Sequence, residues 1–198
     1  MGEPKWKTRL VESEFPDREQ GDEAIFRAAW EMVELAEEAR YGRKPALRRL
    51  LGSLNEHKVE YLIAGGYAVM KYTEPRFTKD LDIWVNTSAE NSARLFQALA
   101  GFGAPLAHDG VTPDTFTKPD IVYQIGVAPV RIDILSRITG VDFSDAWRNR
   151  VASTFFGVPV FLISLDDLVA NKRAAGRSPD LDDLERLRKK TGEGETPE

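Results

Sequence analysis

Two stretches decide the fold: Leu62-Ile-Ala-Gly-Gly-Tyr-Ala-Val69 and, shortly after it, Lys79-Asp-Leu-Asp-Ile-Trp-Val85. The first is an apolar run that ends at a glycine pair, a pattern typical of a strand that turns into a helix. The second alternates aspartates with apolar residues, which is the period of a strand with one buried face. Together they predict strand, helix and strand in succession, the order of an α/β fold.

The aspartates of the second stretch, Asp80 and Asp82, are two residues apart and therefore project from the same face of the strand. Two like charges that lie so close raise each other's pKa unless a cation lies between them. A solvated pair at a sheet edge is the alternative interpretation. The apolar neighbours Leu81, Ile83 and Trp84 favour a partly buried pair and a site for a divalent cation.

Composition sets the class of protein. The chain has 198 residues, 42% hydrophobic and 30% charged, which is ordinary for a globular protein with one main core. It contains no cysteine, so disulfides and thiolate metal sites are excluded. We expect no membrane span, no signal peptide and a cytoplasmic location. The net charge of −5 disfavours a protein that binds nucleic acid over its whole surface.

Four segments are expected along the chain: an arm at 1–20, a core at 21–163 that includes N-terminal helices, a pair of C-terminal helices at 164–192 and a disordered tail at 193–198. The expected fold is α/β (α+β), with a mixed, twisted β-sheet flanked by helices. Periodicity and capping residues predict helices at 22–40, 45–56, 67–72, 88–99, 164–175 and 178–191. Strands are predicted at 59–64, 78–85, 121–126, 130–135, 151–156 and 158–163, with each of the last two pairs joined as a hairpin.

A third carboxylate, Asp133, lies in the apolar strand that begins at Arg131. Three carboxylates on neighbouring strands would form an oxygen-rich site of the kind that suits Mg²⁺ or Mn²⁺. A salt bridge between Asp133 and Arg131 is the alternative. The glycine pair Gly65 and Gly66 would let backbone N–H groups approach a phosphate at the start of a helix, although a tight turn explains it equally well.

The order of these motifs resembles the minimal nucleotidyltransferase superfamily related to polymerase beta. More narrowly, the segments Gly65-Gly-Tyr-Ala-Val69, Pro75-Arg-Phe-Thr-Lys-Asp-Leu-Asp-Ile-Trp-Val85, Arg131-Ile-Asp-Ile-Leu135, Gly140-Val-Asp-Phe143 and Ala170-Asn-Lys-Arg-Ala174 look like a bacterial group close to the AbiEii-type toxin nucleotidyltransferases. The resemblance covers residues 58 to 187. It implies a nucleotidyltransferase fold and transfer of a nucleoside monophosphate from a nucleoside triphosphate to an acceptor hydroxyl.

The resemblance also implies roles for individual residues. Asp80, Asp82 and Asp133 would be catalytic and would bind the metal, Mg²⁺ or Mn²⁺, as two ions. The nucleotide would be bound by Gly65, Gly66, Lys79, Lys172 and Asp180. Three of these have alternatives: a salt bridge to nearby acids for Lys79, a solvated face of a basic helix for Lys172, and a helix N-terminal acid for Asp180.

One departure from the family pattern concerns the glycine pair. Many relatives have serine where this chain has Gly66, so a hydroxyl contact to phosphate is absent here and triphosphate binding could be weaker. The implied acceptor is RNA, such as a tRNA end, or a small molecule such as an aminoglycoside or lincosamide antibiotic. A cognate antitoxin protein is the implied partner in the first case. A non-catalytic nucleotide-binding module of the same fold is the alternative function.

Overall fold

The computed structural model describes residues 43–74, 78–126 and 131–191. The helix expected at 22–40, the arm at 1–20 and the tail at 193–198 lie outside the described residues. Within the described part, helices and strands alternate up to the third long helix, after which two strand hairpins with a short helix between them and a final helix pair follow. This order agrees with the α/β prediction made from the two motif stretches.

A six-stranded sheet forms the centre, and its strand order is β3-β4-β2-β1-β6-β5. Its strands are β1 (Tyr61–Ile63), β2 (Asp80–Val85), β3 (Val122–Ile125), β4 (Arg131–Leu135), β5 (Val151–Phe155) and β6 (Val158–Leu162). The β2–β4 and β1–β6 pairs are parallel, and the other three pairs are antiparallel. The sheet is therefore mixed, as predicted, and both predicted hairpins are present.

Six α-helices flank this sheet in the described residues. They are α1 (Arg43–Glu56), α2 (Gly65–Tyr72), α3 (Ala89–Phe102), α4 (Phe143–Arg148), α5 (Leu165–Ala175) and α6 (Ser178–Thr191). Two of the predicted caps are confirmed: Ser88 Oγ accepts a hydrogen bond from the Asn91 N–H, and Ser164 Oγ accepts one from the Asp167 N–H. A side chain at these positions supplies an acceptor that the first helical turn lacks. Ser178, which was expected to cap the last helix, is the first residue of that helix.

Two differences from the sequence prediction concern helices. Helix α4 was not predicted, because its six residues are too few for helical periodicity to show. Its start is fixed instead by Asp142, whose carboxylate accepts hydrogen bonds from the N–H groups of Ser144 and Asp145. Helix α2 begins at Gly65, two residues earlier than expected, so the glycine pair forms its first turn.

The core fixes the register of the strands that carry the aspartates. Every residue of β1 is buried, and Leu62 lies opposite Trp84 of β2. A slip of one residue would exchange the two faces of β2 and turn Leu81 and Ile83 towards the face that carries the aspartates, so burial of this kind specifies the pairing strongly. None of the helices in the described residues has the length and apolar character needed to cross a membrane.

The loop after β4 packs closely on α5. Gly140 has a φ of +79°, and a Cβ at this position would lie 2.4 Å from the Cβ of Ala174. Asn171 Nδ2 donates a hydrogen bond of 2.9 Å to the Thr139 carbonyl beside it. The loop and the helix are thus held together at a glycine.

We expect Gly140→Ala to lower the free energy of unfolding by about 1–3 kcal/mol, because it combines a positive φ with a steric clash. Urea denaturation measures the change. The matched control is Gly52→Ala in α1, where nothing lies within 4 Å of an added Cβ. That control should be neutral or stabilising by up to about 1 kcal/mol. Equal effects of the two substitutions would contradict the close packing.

Candidate active site

The parallel pairing of β2 and β4 brings the predicted carboxylates together. In its register Asp82 lies opposite Asp133, and Asp80 lies opposite Arg131. Opposite residues of paired strands project from the same face, so all four charged side chains share one face of the sheet. Three acids and one arginine that are distant in sequence therefore form one cluster.

The carboxylate of Asp82 lies against the first residue of α2. A Cβ added to Gly65 would be 1.8 Å from Asp82 Oδ2, and Gly65 has a φ of +57°. The backbone N–H of Ala64 donates a 3.0 Å hydrogen bond to the Asp82 carbonyl, which keeps the two segments together. Only glycine permits this approach, because any side chain would overlap the carboxylate. Asp82 thus lies at the N-terminus of a helix that has no side-chain cap.

The environment of Asp82 disfavours its charged form. Burial, followed by the charges of Asp80 and Asp133, raises the pKa of Asp82 from 3.8 to about 6, against a smaller lowering by Lys172 and Arg131. Like charges and removal from water both act in this direction. A carboxylate of this kind gains stability from a cation or a proton.

Arg131 neutralises the other two acids of the cluster. Its Nη2 lies 2.5 Å from Asp80 Oδ2, and its Nε and Nη2 donate to the two oxygens of Asp133 at 2.8 and 3.0 Å. The hydrogen bond to Asp133 and the charges of the three acids raise the pKa of Arg131 against the effect of burial. The alternative considered for Asp133, a salt bridge to Arg131, is therefore present.

The arginine limits the ways in which a metal ion could bind. Among the residues that the structure describes, no three acidic or histidine side chains are arranged to hold a metal ion. A narrower site nevertheless fits Mg²⁺ or Mn²⁺: Asp82 and Asp133 lie in register and offer only oxygen atoms. Mg²⁺ is commonly bound by one or two carboxylates, with substrate phosphates and water as its other ligands. Asp82 and Asp133 could hold such an ion.

A cavity of about 390 Å³ opens beside these two acids. Of the predicted site residues, it brings together Gly65, Asp82, Asp133 and Lys172, and its wall also contains Asn171, Arg137 and Arg177. The cavity is of a size that accepts a small molecule. It lies between the N-terminus of α2, the sheet and the C-terminal part of α5.

The remaining predicted site residues are not in the wall of this cavity. Asp80 is held by Arg131, Gly66 is buried within α2, and Lys79 is exposed ahead of β2. Asp180 is 1% exposed and lies behind Lys172. The site residues that the family resemblance implied therefore fall into two groups, one around the cavity and one outside it.

Lys172 connects the cavity to a buried ion network. Its Nζ lies 2.8 Å from Asp180 Oδ1 and 2.9 Å from Asp183 Oδ2, and all three side chains are buried. Arg177 Nε donates to the other oxygen of Asp180 at 2.7 Å. Burial alone would raise the pKa of Asp180, but the hydrogen bonds from Arg177 and Lys172 outweigh it and hold the pKa below its ordinary value. The network joins α5 to α6.

Three polar residues of the site were not singled out as site residues from the sequence. Gln124 Nε2 donates to Asp133 Oδ2 at 3.4 Å from the neighbouring strand β3, and Arg137 and Arg177 contribute to the cavity wall. The register of the β3–β4 hairpin would have identified Gln124 as a site residue, because it places Gln124 opposite Asp133. For the two arginines no local pattern distinguishes them from surface residues.

Residues 43–196 match the family whose description is "Nucleotidyl transferase of unknown function (DUF2204)". The match covers most of the chain and includes all the residues of the site. No curated protein matches the chain. The family agrees with the superfamily that the motifs predicted, while the narrower grouping with AbiEii-type toxins stays a prediction.

The raised pKa of Asp82 predicts a pH-dependent stability. Because the folded pKa of about 6 lies above the ordinary 3.8, the proton on Asp82 stabilises the folded chain. This contribution is complete below about pH 4 and is lost as the pH rises through about 6. Asp82→Asn has a neutral side chain at every pH. We therefore compare the free energy of unfolding of Asp82→Asn with that of the original protein. The difference, variant minus original, should increase by about 1–3 kcal/mol between about pH 4 and about pH 8.

Urea denaturation in the presence of a chelator measures this difference without interference from metal. The control is Asp114→Asn, at an exposed aspartate whose side chain makes no capping hydrogen bond. The control should show no comparable rise. A difference for Asp82→Asn that is the same at both pH values would contradict the unfavourable charge at Asp82.

Removal of Lys172 tests the buried ion network. Lys172→Ala removes the buried cation that pairs with Asp180 and Asp183 and leaves Arg177 as the cation at Asp180, so the free energy of unfolding should fall by about 3–5 kcal/mol. Lys189→Ala is the matched control, because Lys189 pairs with Glu185 on the exposed surface of α6. Its effect should stay within about 0.5 kcal/mol. A similarly small effect of Lys172→Ala would show that the network does not stabilise the fold.

Proposed function

The chain belongs to the family described as nucleotidyl transferase of unknown function, and from this premise we propose that it moves a nucleoside monophosphate from a nucleoside triphosphate to an acceptor hydroxyl, with release of pyrophosphate. One observation carries this proposal: Asp82 and Asp133 lie in register beside a cavity, and Asp82 is packed against the glycine that begins α2. Helix start, carboxylates and cavity are the parts that phosphate-transfer chemistry requires.

The start of α2 is the proposed place for the triphosphate. The first N–H groups of a helix have no partner within the helix, and its dipole favours an anion there. Gly65 leaves the approach open, and Ala64 supplies no side chain that would cap these groups. Arg177, exposed at the edge of the cavity, adds positive charge for the outer phosphates. Gly66 offers no hydroxyl, so its contribution to phosphate binding is limited to the backbone.

The bound divalent ion, Mg²⁺ or Mn²⁺, would supply charge neutralisation for the phosphates and lower the pKa of the attacking hydroxyl. Asp82 and Asp133 would hold it, with phosphate oxygens and water as further ligands. Asp80 is the third member of the set and would have to leave Arg131 to join them. We still expect two ions to bind. The second ion would need the carboxylate of Asp80 as a ligand, so it would bind only after Asp80 has left Arg131.

The proposed reaction is a substitution at the α-phosphorus. The acceptor oxygen forms a bond to the α-phosphorus, the bond from that phosphorus to the bridging oxygen breaks, and pyrophosphate leaves with the electron pair. Asp133, which lines the cavity, takes the proton from the acceptor hydroxyl. Arg131 holds the orientation of Asp133 through two hydrogen bonds, so it positions the base.

Lys172 has two proposed contributions. Its ammonium group lies in the wall of the cavity, which suits the phosphate contact that the family resemblance implies. It is also bonded to Asp180 and Asp183, so part of its charge is already compensated. We propose that Lys172 mainly stabilises the wall of the cavity and that phosphate binding is its secondary role. Asp180 then acts through Lys172, and Lys79 attracts the anionic substrate from outside the cavity.

Two acceptor classes follow from the resemblance to nucleotidyltransferases. One is RNA, as for the AbiEii-type toxins, with a cognate antitoxin as a further partner, and the other is a small molecule. The basic residues of α6 are a further reason to consider RNA. That helix carries as many acids as bases, so its charge gives RNA little support.

The test of the proposed function uses nucleoside triphosphates radiolabelled at the α-phosphate. We expect the purified protein, with Mg²⁺ or Mn²⁺, to transfer label to a component of a cell extract. Asp82→Ala should reduce the rate about a thousandfold or more, because several kcal/mol of transition-state stabilisation are lost. Chelation of the metal should have the same effect.

The control for this experiment is Asp114→Ala, at an exposed aspartate outside the site, which should retain the original rate. Transfer that survives Asp82→Ala in a folded protein would refute the role of Asp82. Isothermal titration calorimetry with nucleoside triphosphate and metal separates the alternatives. Nucleotide binding without any transfer would favour the non-catalytic module, and absence of both would contradict the proposed function.

A further inference from the structure

A second cavity adjoins the first one where β2 and β4 end. Its volume is about 610 Å³, and Arg137 and Ile138 line both cavities. Sites for small molecules usually have volumes of about 300–1,000 Å³. None of the proposed catalytic residues lines this second cavity, so a molecule bound there would leave the carboxylates accessible. It would reach them across the shared wall.

Trp84 contributes a hydrogen-bond donor that has no acceptor in the part of the chain that the structure describes. It follows Asp82 by two residues on β2 and lines the second cavity. Its side chain is 1% exposed, and its Nε1 has no hydrogen-bond partner among the described residues. The ring is fixed by an edge-to-face contact with Phe143, at a centroid distance of 5.0 Å. Buried donors are almost always paired, so this one indicates a ligand atom that accepts a hydrogen bond.

The wall of this cavity suits an uncharged molecule. The described lining residues include one cation, Arg137, and one anion, Asp142. The carboxylate of Asp142 already accepts hydrogen bonds from the backbone at the start of α4, which stabilise its negative charge within the protein. Binding of a polyanion such as RNA requires several lysines or arginines, and this wall does not supply them.

The rest of the wall combines hydroxyl groups with apolar surface. Thr87, Thr117 and Ser136 provide the hydroxyls, while Ile138 and Phe143 provide apolar surface. Thr117 Oγ1 already donates to the Asp114 carbonyl and Ser136 Oγ already accepts from the Ile121 N–H, so Thr117 keeps its acceptor capacity and Ser136 keeps its donor. With the apolar surface, which covers the carbon skeleton of a ligand, these groups can bind a molecule with several hydroxyls.

We infer that the second cavity binds the acceptor of the reaction, and that this acceptor is a small, uncharged, hydroxyl-bearing molecule with an atom that accepts a hydrogen bond from Trp84 Nε1. The inference rests on the proposed function. The hydroxyl group of the acceptor would enter the first cavity past Arg137 and Ile138 and meet the α-phosphorus beside Asp133. The bonds formed and broken are those of the transfer reaction described above.

The first experiment compares two fractions of one cell extract: purified total RNA and an ultrafiltrate that contains only small molecules. Each is incubated with the protein, metal and nucleoside triphosphates labelled at the α-phosphate. We expect label in a product from the ultrafiltrate. Label in RNA would overturn the inference and leave the proposed function intact. Label in neither fraction, with nucleotide binding retained in calorimetry, would also overturn it. Loss of nucleotide binding as well would refute the proposed function.

The second experiment fills or alters the cavity. Thr87→Tyr should raise the KM for the acceptor by about tenfold or more and keep the affinity for nucleotide within about twofold, because the two cavities bind different molecules. Thr154→Tyr, at an exposed threonine of the edge strand β5, is the matched control and should change neither value.

Trp84→Phe keeps an aromatic ring, although a smaller one, and removes the indole N–H group. It should raise the KM for the acceptor roughly fivefold with little change in kcat, as expected for loss of one hydrogen bond to a bound ligand. If Thr87→Tyr and Trp84→Phe both leave the KM for the acceptor unchanged, the second cavity is not the acceptor site.

Discussion

The carboxylate of Asp82 lies so close to the first residue of α2 that no side chain fits between them, and the geometry of the site depends on this contact. A Cβ on Gly65 would be 1.8 Å from the carboxylate oxygen. The contact is possible because β1 and β2 are paired through a buried core, which leaves no freedom to shift the strand. The same pairing carries Asp82 to the position opposite Asp133 on β4. An acid and a helix start therefore face one cavity.

Most of the acids in and around the site are paired with cations. Arg131 compensates Asp80 and Asp133, Lys172 compensates Asp180 and Asp183, and Arg177 also pairs with Asp180. The carboxylate of Asp82 accepts no hydrogen bond from the described residues, and its pKa is raised to about 6. It is thus the acid with most to gain from a metal ion. In this account Arg131 and a metal ion compete for the carboxylates, and the substrate phosphates favour the metal.

Periodicity and capping were enough to predict most of the fold. Alternation around Asp80 and Asp82 indicated a strand with one polar face, and Ser88 and Ser164 marked helix starts that the structure contains. Contacts between distant segments were beyond such patterns. The sequence could not distinguish a metal ligand from the partner of Arg131, because both require an acid on the same strand face. Nor could it show that Trp84 leaves a donor unpaired, since this depends on how distant segments such as Phe143, the first residue of α4, pack around the ring.

Crystallography with Mn²⁺ and a nucleoside triphosphate analogue that cannot be cleaved at the α-phosphate tests the central claim most directly. The anomalous signal of manganese locates the ion independently of any assay. We expect a manganese peak between the carboxylates of Asp82 and Asp133, with the triphosphate at the start of α2 and Arg131 moved away from at least one acid. A peak elsewhere, or an arginine that still bridges Asp80 and Asp133 while nucleotide is bound without metal, would contradict it.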